Sequence, residues 1–179
     1  MKSAFPLSAE AYVGLGANLG NPEETFGHAL SSMETFSEVL GVSGLYRSKP
    51  YGFSRQPDFL NAAARIRTRL DPLNLLRKLQ EVEKNLGKVV ERENGPRSID
   101  LDLLFYEDKV LKTDDLTLPH PEIHKRDFVL KPLEELNPDL FHPTRKKTIS
   151  ELLKNLDEKY VSGKLSKDVT PFQKSPERG

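Results

Sequence analysis

A chain of 179 residues without cysteine has no disulfide framework, thiolate metal site or thiol nucleophile, and its length suits one domain with an ordinary core. Lysine plus arginine equals aspartate plus glutamate at 27 each, so overall charge does not argue for nucleic acid as a partner, and any basic site must be local. No apolar run reaches the length of a membrane span and the first residues hold no secretory-signal core, so a cytoplasmic protein with no membrane partner is expected.

Residues 11–15 alternate Val13 and Leu15 with Tyr12 and Gly14, which predicts a strand with one packed face. Gly14, Gly16 and Gly20 miss the dinucleotide-binding spacing, which would need glycine at Leu19. They are read instead as small residues that let backbone or ligand come close to the strand. Asn21 as cap and Pro22 at the first helical position start a helix reaching Phe36, with Phe26, Ala29, Leu30 and Met33 inward. Residues 39–47 read as a second strand and 49–57 as a turn-rich loop. Residues 59–69 form a third, with Leu60, Ala62, Ala64 and Ile66 on one face and Phe59, Asn61 and Ala63 on the other. Asp71 and Pro72 open a second helix whose stripe is Leu75, Leu76, Leu79, Val82 and Leu86, closed by Gly87. On its flank, Gln80 and Glu83 read first as a solvated face, with contacts to a substrate edge as the alternative.

Residues 95–106, Gly-Pro-Arg-Ser-Ile-Asp-Leu-Asp-Leu-Leu-Phe-Tyr, carry the strongest chemical signal. Aspartate is depleted in strands, yet Asp100 and Asp102 occupy alternate positions in one. Alternation puts both carboxylates on one face, their bases about 6.6 Å apart, with Ile99, Leu101, Leu103 and Phe105 on the other. Such a pair suits Mg²⁺ held by one or two carboxylates plus substrate phosphate, and Arg97 supplies a nearby guanidinium for phosphate oxygens.

The resulting order of strand, helix, two strands, helix, strand predicts an α+β fold: a ferredoxin-like βαββαβ antiparallel sheet with its helices on one face. Asp100, Asp102, Phe59, Asn61, Tyr12 and Gly14 would share the open face. Residues 109–111 add an extra C-terminal edge strand, residues 116–130 a Pro- and His-rich turn leading into a short helix, and residues 148–156 a last helix. Residues 1–160 are expected as a single domain, with 161–179 a polar, flexible tail.

A metal-binding pair, a discontinuous basic set (Lys88, Arg92, Arg97, His120, Arg126) and the aromatic residues Phe59 and Phe128 suit a polyphosphate beside a flat heterocycle. A Walker A loop is missing, since Gly87-Lys88 is followed by Val89 and position 82 is Val. Residues 95–104 resemble the signature of the 6-hydroxymethyl-7,8-dihydropterin pyrophosphokinases of folate biosynthesis. The resemblance runs through 12–20, 56–63, 119–121 and 126–133, covering about residues 10–143. It implies Mg²⁺-dependent transfer of the β,γ-diphosphoryl group of ATP to the pterin hydroxymethyl oxygen, releasing AMP.

By that resemblance Asp100 and Asp102 bind two Mg²⁺ ions. Arg97, His120 and Arg126 contact the triphosphate, with Lys88 and Arg92 closing over it, and Thr117 lies near the ribose and adenine edge. Phe59 and Phe128 sandwich the pterin, Asn61 bonds its edge, and backbone groups near Ser48 and Tyr51 complete the pocket. The connection between Gly87 and Gly95 departs from the family pattern in carrying Glu91, Glu93 and Asn94. Two other readings stand beside this one: a pyrophosphokinase for another small alcohol, and a non-enzymatic binding module of the same strand order. An RNA-recognition module would need its aromatic stacking motif on the third strand, and residues 59–66 do not contain it.

Overall fold

The computed structural model describes residues 8–88 and 93–165. Its frame consists of β1 (Ala9–Ala17), α1 (Pro22–Met33), β2 (Glu38–Val42), β3 (Tyr46–Ser48), β4 (Phe59–Thr68), α2 (Pro72–Asn85) and β5 (Asp100–Tyr106). Both long helices start as the sequence predicts: the Asn21 side chain accepts from Glu24 N–H and Asp71 from Asn74 N–H, each before a proline at the first turn. The second helix ends where Gly87 takes φ +75°, with Lys88 N–H donating to Glu83 C=O at 3.0 Å.

All pairings in the six-stranded main sheet are antiparallel. Its path runs through β3, β4, β1 and β5, with β2 lying against the far half of β4. The single strand expected over 39–47 is two, because Ser43 interrupts it. Its N–H donates to Ala63 C=O at 2.9 Å, while its hydroxyl replaces a backbone carbonyl in accepting from Ala63 N–H at 2.9 Å. One face of the sheet, through Val13, Leu15, Ala62, Ala64, Ile66, Leu101 and Leu103, packs on α1 and α2 through Phe26, Leu30, Met33, Leu75 and Leu79.

The other face is not left open along its whole length, which corrects the expectation of helices on one face only. Strands β6 (Leu111–Lys112) and β7 (Thr117–Leu118) make a separate small hairpin rather than an edge strand of the main sheet. Helix α3 (Asp127–Leu136), the hairpin β8 (Phe141–His142) and β9 (Lys147–Thr148), and α4 (Ile149–Lys154) follow. Leu130 and Leu133 of α3 and Ile149 and Leu152 of α4 bury Tyr12, Ala63 and Phe105. Phe105 is there because the pairing of β1 with β5 slips, Val13 facing Leu103 and Tyr12 facing Phe105. The extra residue, Leu104, forms a bulge that moves Phe105 to the face opposite the one alternation assigns.

The main sheet gains a different edge: β10 (Val161–Lys164) pairs with β3, Val161 opposite Ser48. The tail expected from Val161 onward is thus corrected at its start, and residues 166–179 lie outside the described residues. Four residues of little hydrophobicity are held there by backbone pairing and by Lys164, whose ammonium is 3.1 Å from Glu135 of α3. Glu135 also accepts from Tyr46 O–H at 2.7 Å and Gly44 N–H at 3.1 Å. Among the described residues no helix is long and apolar enough to cross a membrane.

Burial pushes the Glu135 carboxyl up, but these donors outweigh it and hold its pKa below the ordinary value. A depressed carboxylate adds stability that is fully present above its unfolded pKa and is lost as pH falls through the folded one. Glu135→Gln is therefore expected to cost about 1–2 kcal/mol at neutral pH. Thermal melts should show the variant and parent converging as pH drops below the ordinary carboxylate range. A gap constant from neutral to strongly acidic pH would contradict this account.

Candidate functional site

The part of the sheet that α3 and α4 leave uncovered owes its shape to two glycines on the central strand. In register, Asp102–Gly14–Ala63 and Asp100–Gly16–Asn61 lie across β5, β1 and β4. A Cβ on Gly14 would meet Leu104 Cδ1 at 3.3 Å, and one on Gly16 would meet Asn61 Oδ1 at 3.7 Å. Glycine here leaves a trough between the carboxylates on one side and Asn61 and Phe59 on the other. Asp100, Asp102, Arg97, Arg126, Phe59, Asn61, Phe128, Ser48 and Tyr51, nine of the residues singled out in the sequence, line this one cavity. A second depression holds Thr117 and His120 and shares Asp102 with the first. Arg92 lies outside the described residues.

The two aspartates sit in different surroundings. Both oxygens of Asp100 are engaged by cations, Oδ1 by Lys88 Nζ at 2.9 Å and Oδ2 by Arg97 Nη1 at 3.1 Å. Burial pushes the Asp102 carboxyl up to about 7, and the neighbouring Asp100 charge adds to the rise while Arg126 opposes it. Lys88 is tied at its other side to Glu83 Oε2 at 2.6 Å, and the same oxygen accepts from Leu101 N–H at 3.0 Å. Glu83 is only 6% exposed, which corrects its reading as a solvated flank: α2 packs against β5 and turns that flank toward the strand. Burial raises the Glu83 pKa against the pull of Lys88. For Lys88, burial lowers the pKa, and Glu83 and Asp100 together raise it above the ordinary value.

Sequence reasoning also missed Asn18. Buried at the end of β1, it accepts from Arg97 N–H at 2.9 Å and donates to Gln56 Oε1 and Pro57 C=O, both at 2.9 Å. One side chain thereby fixes the loop that carries Arg97 and the loop between β3 and β4. The signal was an amide at a strand end beside glycines, a position with no apolar reason to be buried.

On the opposite wall, Asn61 spends both donors inside the protein, on Ser48 Oγ at 2.8 Å and Tyr46 C=O at 3.1 Å. Its carbonyl oxygen is then the atom facing the trough above Gly16. The Arg126 guanidinium carbon stands 5.0 Å from the Tyr51 ring centroid and 5.8 Å from that of Phe128. Its Nε is buried with no hydrogen-bond partner among the described residues. His120 Nδ1 accepts from Glu122 N–H at 3.2 Å, and burial, with Arg126, holds its pKa below the ordinary value. The neutral ring therefore carries its proton on Nε2 as a donor.

No group of three or more metal-ligating side chains forms among the described residues. The carboxylates of Asp100 and Asp102, which line the same trough, are what the chain itself offers a cation. That donor set fits a hard divalent ion whose remaining ligands are phosphate and water, as is usual for Mg²⁺.

Residues 12–138 match the family model for 7,8-dihydro-6-hydroxymethylpterin-pyrophosphokinase. The chain is 41% identical over 143 residues to a 2-amino-4-hydroxy-6-hydroxymethyldihydropteridine pyrophosphokinase of Aquifex aeolicus, covering 80% of this chain and 89% of that one. It is 41% identical over 154 residues to the Haemophilus influenzae protein of the same name, covering 84% and 96% respectively. Identity to the folic acid synthesis protein fol1 of Schizosaccharomyces pombe is 42% over 148 residues, and the chain spans only 20% of that longer protein. Among solved structures, Plasmodium falciparum HPPK-DHPS with pterin and p-hydroxybenzoate superposes with a TM-score of 0.70 at 16% identity, covering 85% of this chain and 42% of that one. At that identity the likeness is one of fold.

Proposed function

The chain belongs to the 7,8-dihydro-6-hydroxymethylpterin-pyrophosphokinase family, and on that premise we propose that it transfers the β,γ-diphosphoryl group of ATP to 6-hydroxymethyl-7,8-dihydropterin. The hydroxymethyl oxygen bonds to the β-phosphorus, the bond from that phosphorus to the α,β-bridging oxygen breaks, AMP leaves, and the hydroxyl proton passes to solvent. The observation that carries this reading is the glycine-floored trough with a carboxylate pair on one wall and Asn61 and Phe59 on the other. The strand order β2/β3, β4, β1, β5 supports a ferredoxin-like frame.

Phosphoryl transfer asks a protein mainly for in-line positioning and for charge to meet the phosphate oxygens. Arg97 and Arg126 line the trough, and the unpartnered Arg126 Nε is a buried donor suited to an anion. His120 offers its Nε2–H from the second depression, where Thr117 would lie beside the nucleoside. Phe59 and Phe128 take the faces of the pterin, and the Asn61 carbonyl, its amide donors already used, accepts from a ring N–H or amino group at the edge. Asp100 and Asp102 would hold two Mg²⁺ ions, which when bound neutralise charge on the triphosphate.

Lys88 has two roles in this reading. It lies on Asp100, where a divalent cation would also lie, so ammonium and metal compete for one carboxylate. Release from Asp100 would let Lys88 turn to phosphate. Lys88→Met is therefore expected to tighten Mn²⁺ binding to the nucleotide-free protein about fivefold, while weakening affinity for a non-hydrolysable ATP analogue. Titration of Mn²⁺ followed by electron paramagnetic resonance reads the first effect, and unchanged or weaker Mn²⁺ affinity would remove the competition argument.

The assay for the whole proposal is AMP release from ATP with and without 6-hydroxymethyl-7,8-dihydropterin. Pterin-dependent AMP supports it. No AMP, or AMP formed equally without pterin, overturns it.

A further inference from the structure

Beyond the span matched by the family model, one side chain reaches back to the acceptor pocket. Tyr160 precedes β10, and its ring stands edge-on to two aromatic residues of the trough, 5.4 Å from Tyr51 at 61° and 6.0 Å from Phe128 at 86°. Those two belong to different elements. Tyr51 is on the loop between β3 and β4, and Phe128 is in the first turn of α3; their own centroids are 6.3 Å apart. The Tyr160 ring packs edge-on against both and is not among the residues that line the cavity.

Three hydrogen bonds pin the backbone at Tyr160 and Val161. Tyr160 N–H and Val161 N–H both donate to Asp127 Oδ2 at 2.9 Å, and Tyr160 C=O accepts from Lys49 N–H at 2.9 Å. Asp127 is 1% exposed and immediately precedes Phe128. The carboxylate that anchors the strand and the ring that walls the pocket are thus neighbours on one helical turn, and Lys49 stands two residues from Tyr51. A buried carboxylate accepting two backbone donors is an expensive device unless what it orders is useful. What it orders is the ring of Tyr160, whose hydroxyl points away to Glu158 Oε2 at 3.1 Å.

We propose that Tyr160 is a positioning residue of the acceptor site: clamped by Asp127 and Lys49, it sets the planes of Tyr51 and Phe128 so that the pocket is formed before a flat heterocycle enters. The inference rests on the reading of that trough as the pterin site. Edge-to-face pairs favour definite ring orientations, and removing both pairs returns two pocket walls to rotamer freedom that the acceptor must then restrict. The nucleotide would meet these rings only indirectly, through Arg126, whose guanidinium carbon lies 5.0 Å from the Tyr51 centroid and 5.8 Å from that of Phe128.

Tyr160→Ala is expected to raise the dissociation constant of 6-hydroxymethyl-7,8-dihydropterin, and its KM, about tenfold, with kcat and the affinity for an ATP analogue changed less than about twofold. Tyr160→Phe should restore parental values, because the hydroxyl points to Glu158 and not to the pocket. If Tyr160→Ala proves too unstable to purify, Tyr160→Leu keeps apolar bulk without a ring edge and should show the same selective loss. Equal losses for pterin and ATP analogue, or parental pterin affinity in the folded variant, would overturn the proposal while leaving the acceptor reading intact. A parental chain that binds no pterin would overturn both.

Discussion

Asp100→Asn and Asp102→Asn are each expected to lower pterin-dependent AMP release on the order of a thousandfold, because each removes a carboxylate that would hold Mg²⁺ against the triphosphate. This loss is separable from a loss of fold. Asp102 is held at about 7 by burial and by the Asp100 charge, so the folded state binds its proton more tightly than the unfolded chain does. A raised carboxylate pKa lowers stability as pH rises from the unfolded value through the folded one, and a neutral amide removes that cost. Asp102→Asn should consequently melt no lower than the parent at pH 8, and higher if the cost is large. Asp100→Asn breaks the contacts to Lys88 and Arg97 and should melt slightly lower. Loss of activity with retained Tm in the Asp102 variant is the pattern expected of a site built at the expense of stability. Turnover within tenfold of the parent in either variant would remove the carboxylate pair from the mechanism.

What the sequence made legible follows from local rules that tertiary packing did not overturn. Asn21-Pro22 and Asp71-Pro72 begin helices because cap and proline satisfy the first turn without outside help. Alternation put Asp100, Asp102 and Asn61 on one face, and the register of β1 with β4 and β5 keeps them there. The misreadings have causes that a local pattern does not contain. A bulge at Leu104 costs one residue of register and sends Phe105 to the other face. Glu83 lies at ordinary helical spacing, and only the seating of α2 against β5 buries it on Leu101 N–H and Lys88. Residues 161–164 have the composition of a tail, since β10 is held by backbone pairing, Asp127 and Glu135 rather than by apolar burial. Asn18 offered only the weak signal of an amide beside glycines, because its three partners come from loops distant in sequence.

Phe128→Ala carries the largest effect expected on the acceptor side. The ring stands in the first turn of α3 with Tyr51 and Tyr160 around it and the Arg126 guanidinium beside it. It lines the trough, where a flat heterocycle would lie against its face. Losing roughly half of an aromatic side chain's apolar contact amounts to about 2 kcal/mol, or about thirtyfold in affinity. The pterin dissociation constant should rise by about that factor, and that of an ATP analogue by less than about threefold, since the nucleotide would feel the change only through Arg126 beside the ring. Phe128→Leu, which keeps bulk but not a planar face, is expected to fall between the two. The contrast tests whether the aromatic wall serves the acceptor or the fold: a structural role alone would weaken both ligands together, and equal losses in calorimetric titrations of pterin and ATP analogue would count against a stacked acceptor at this wall.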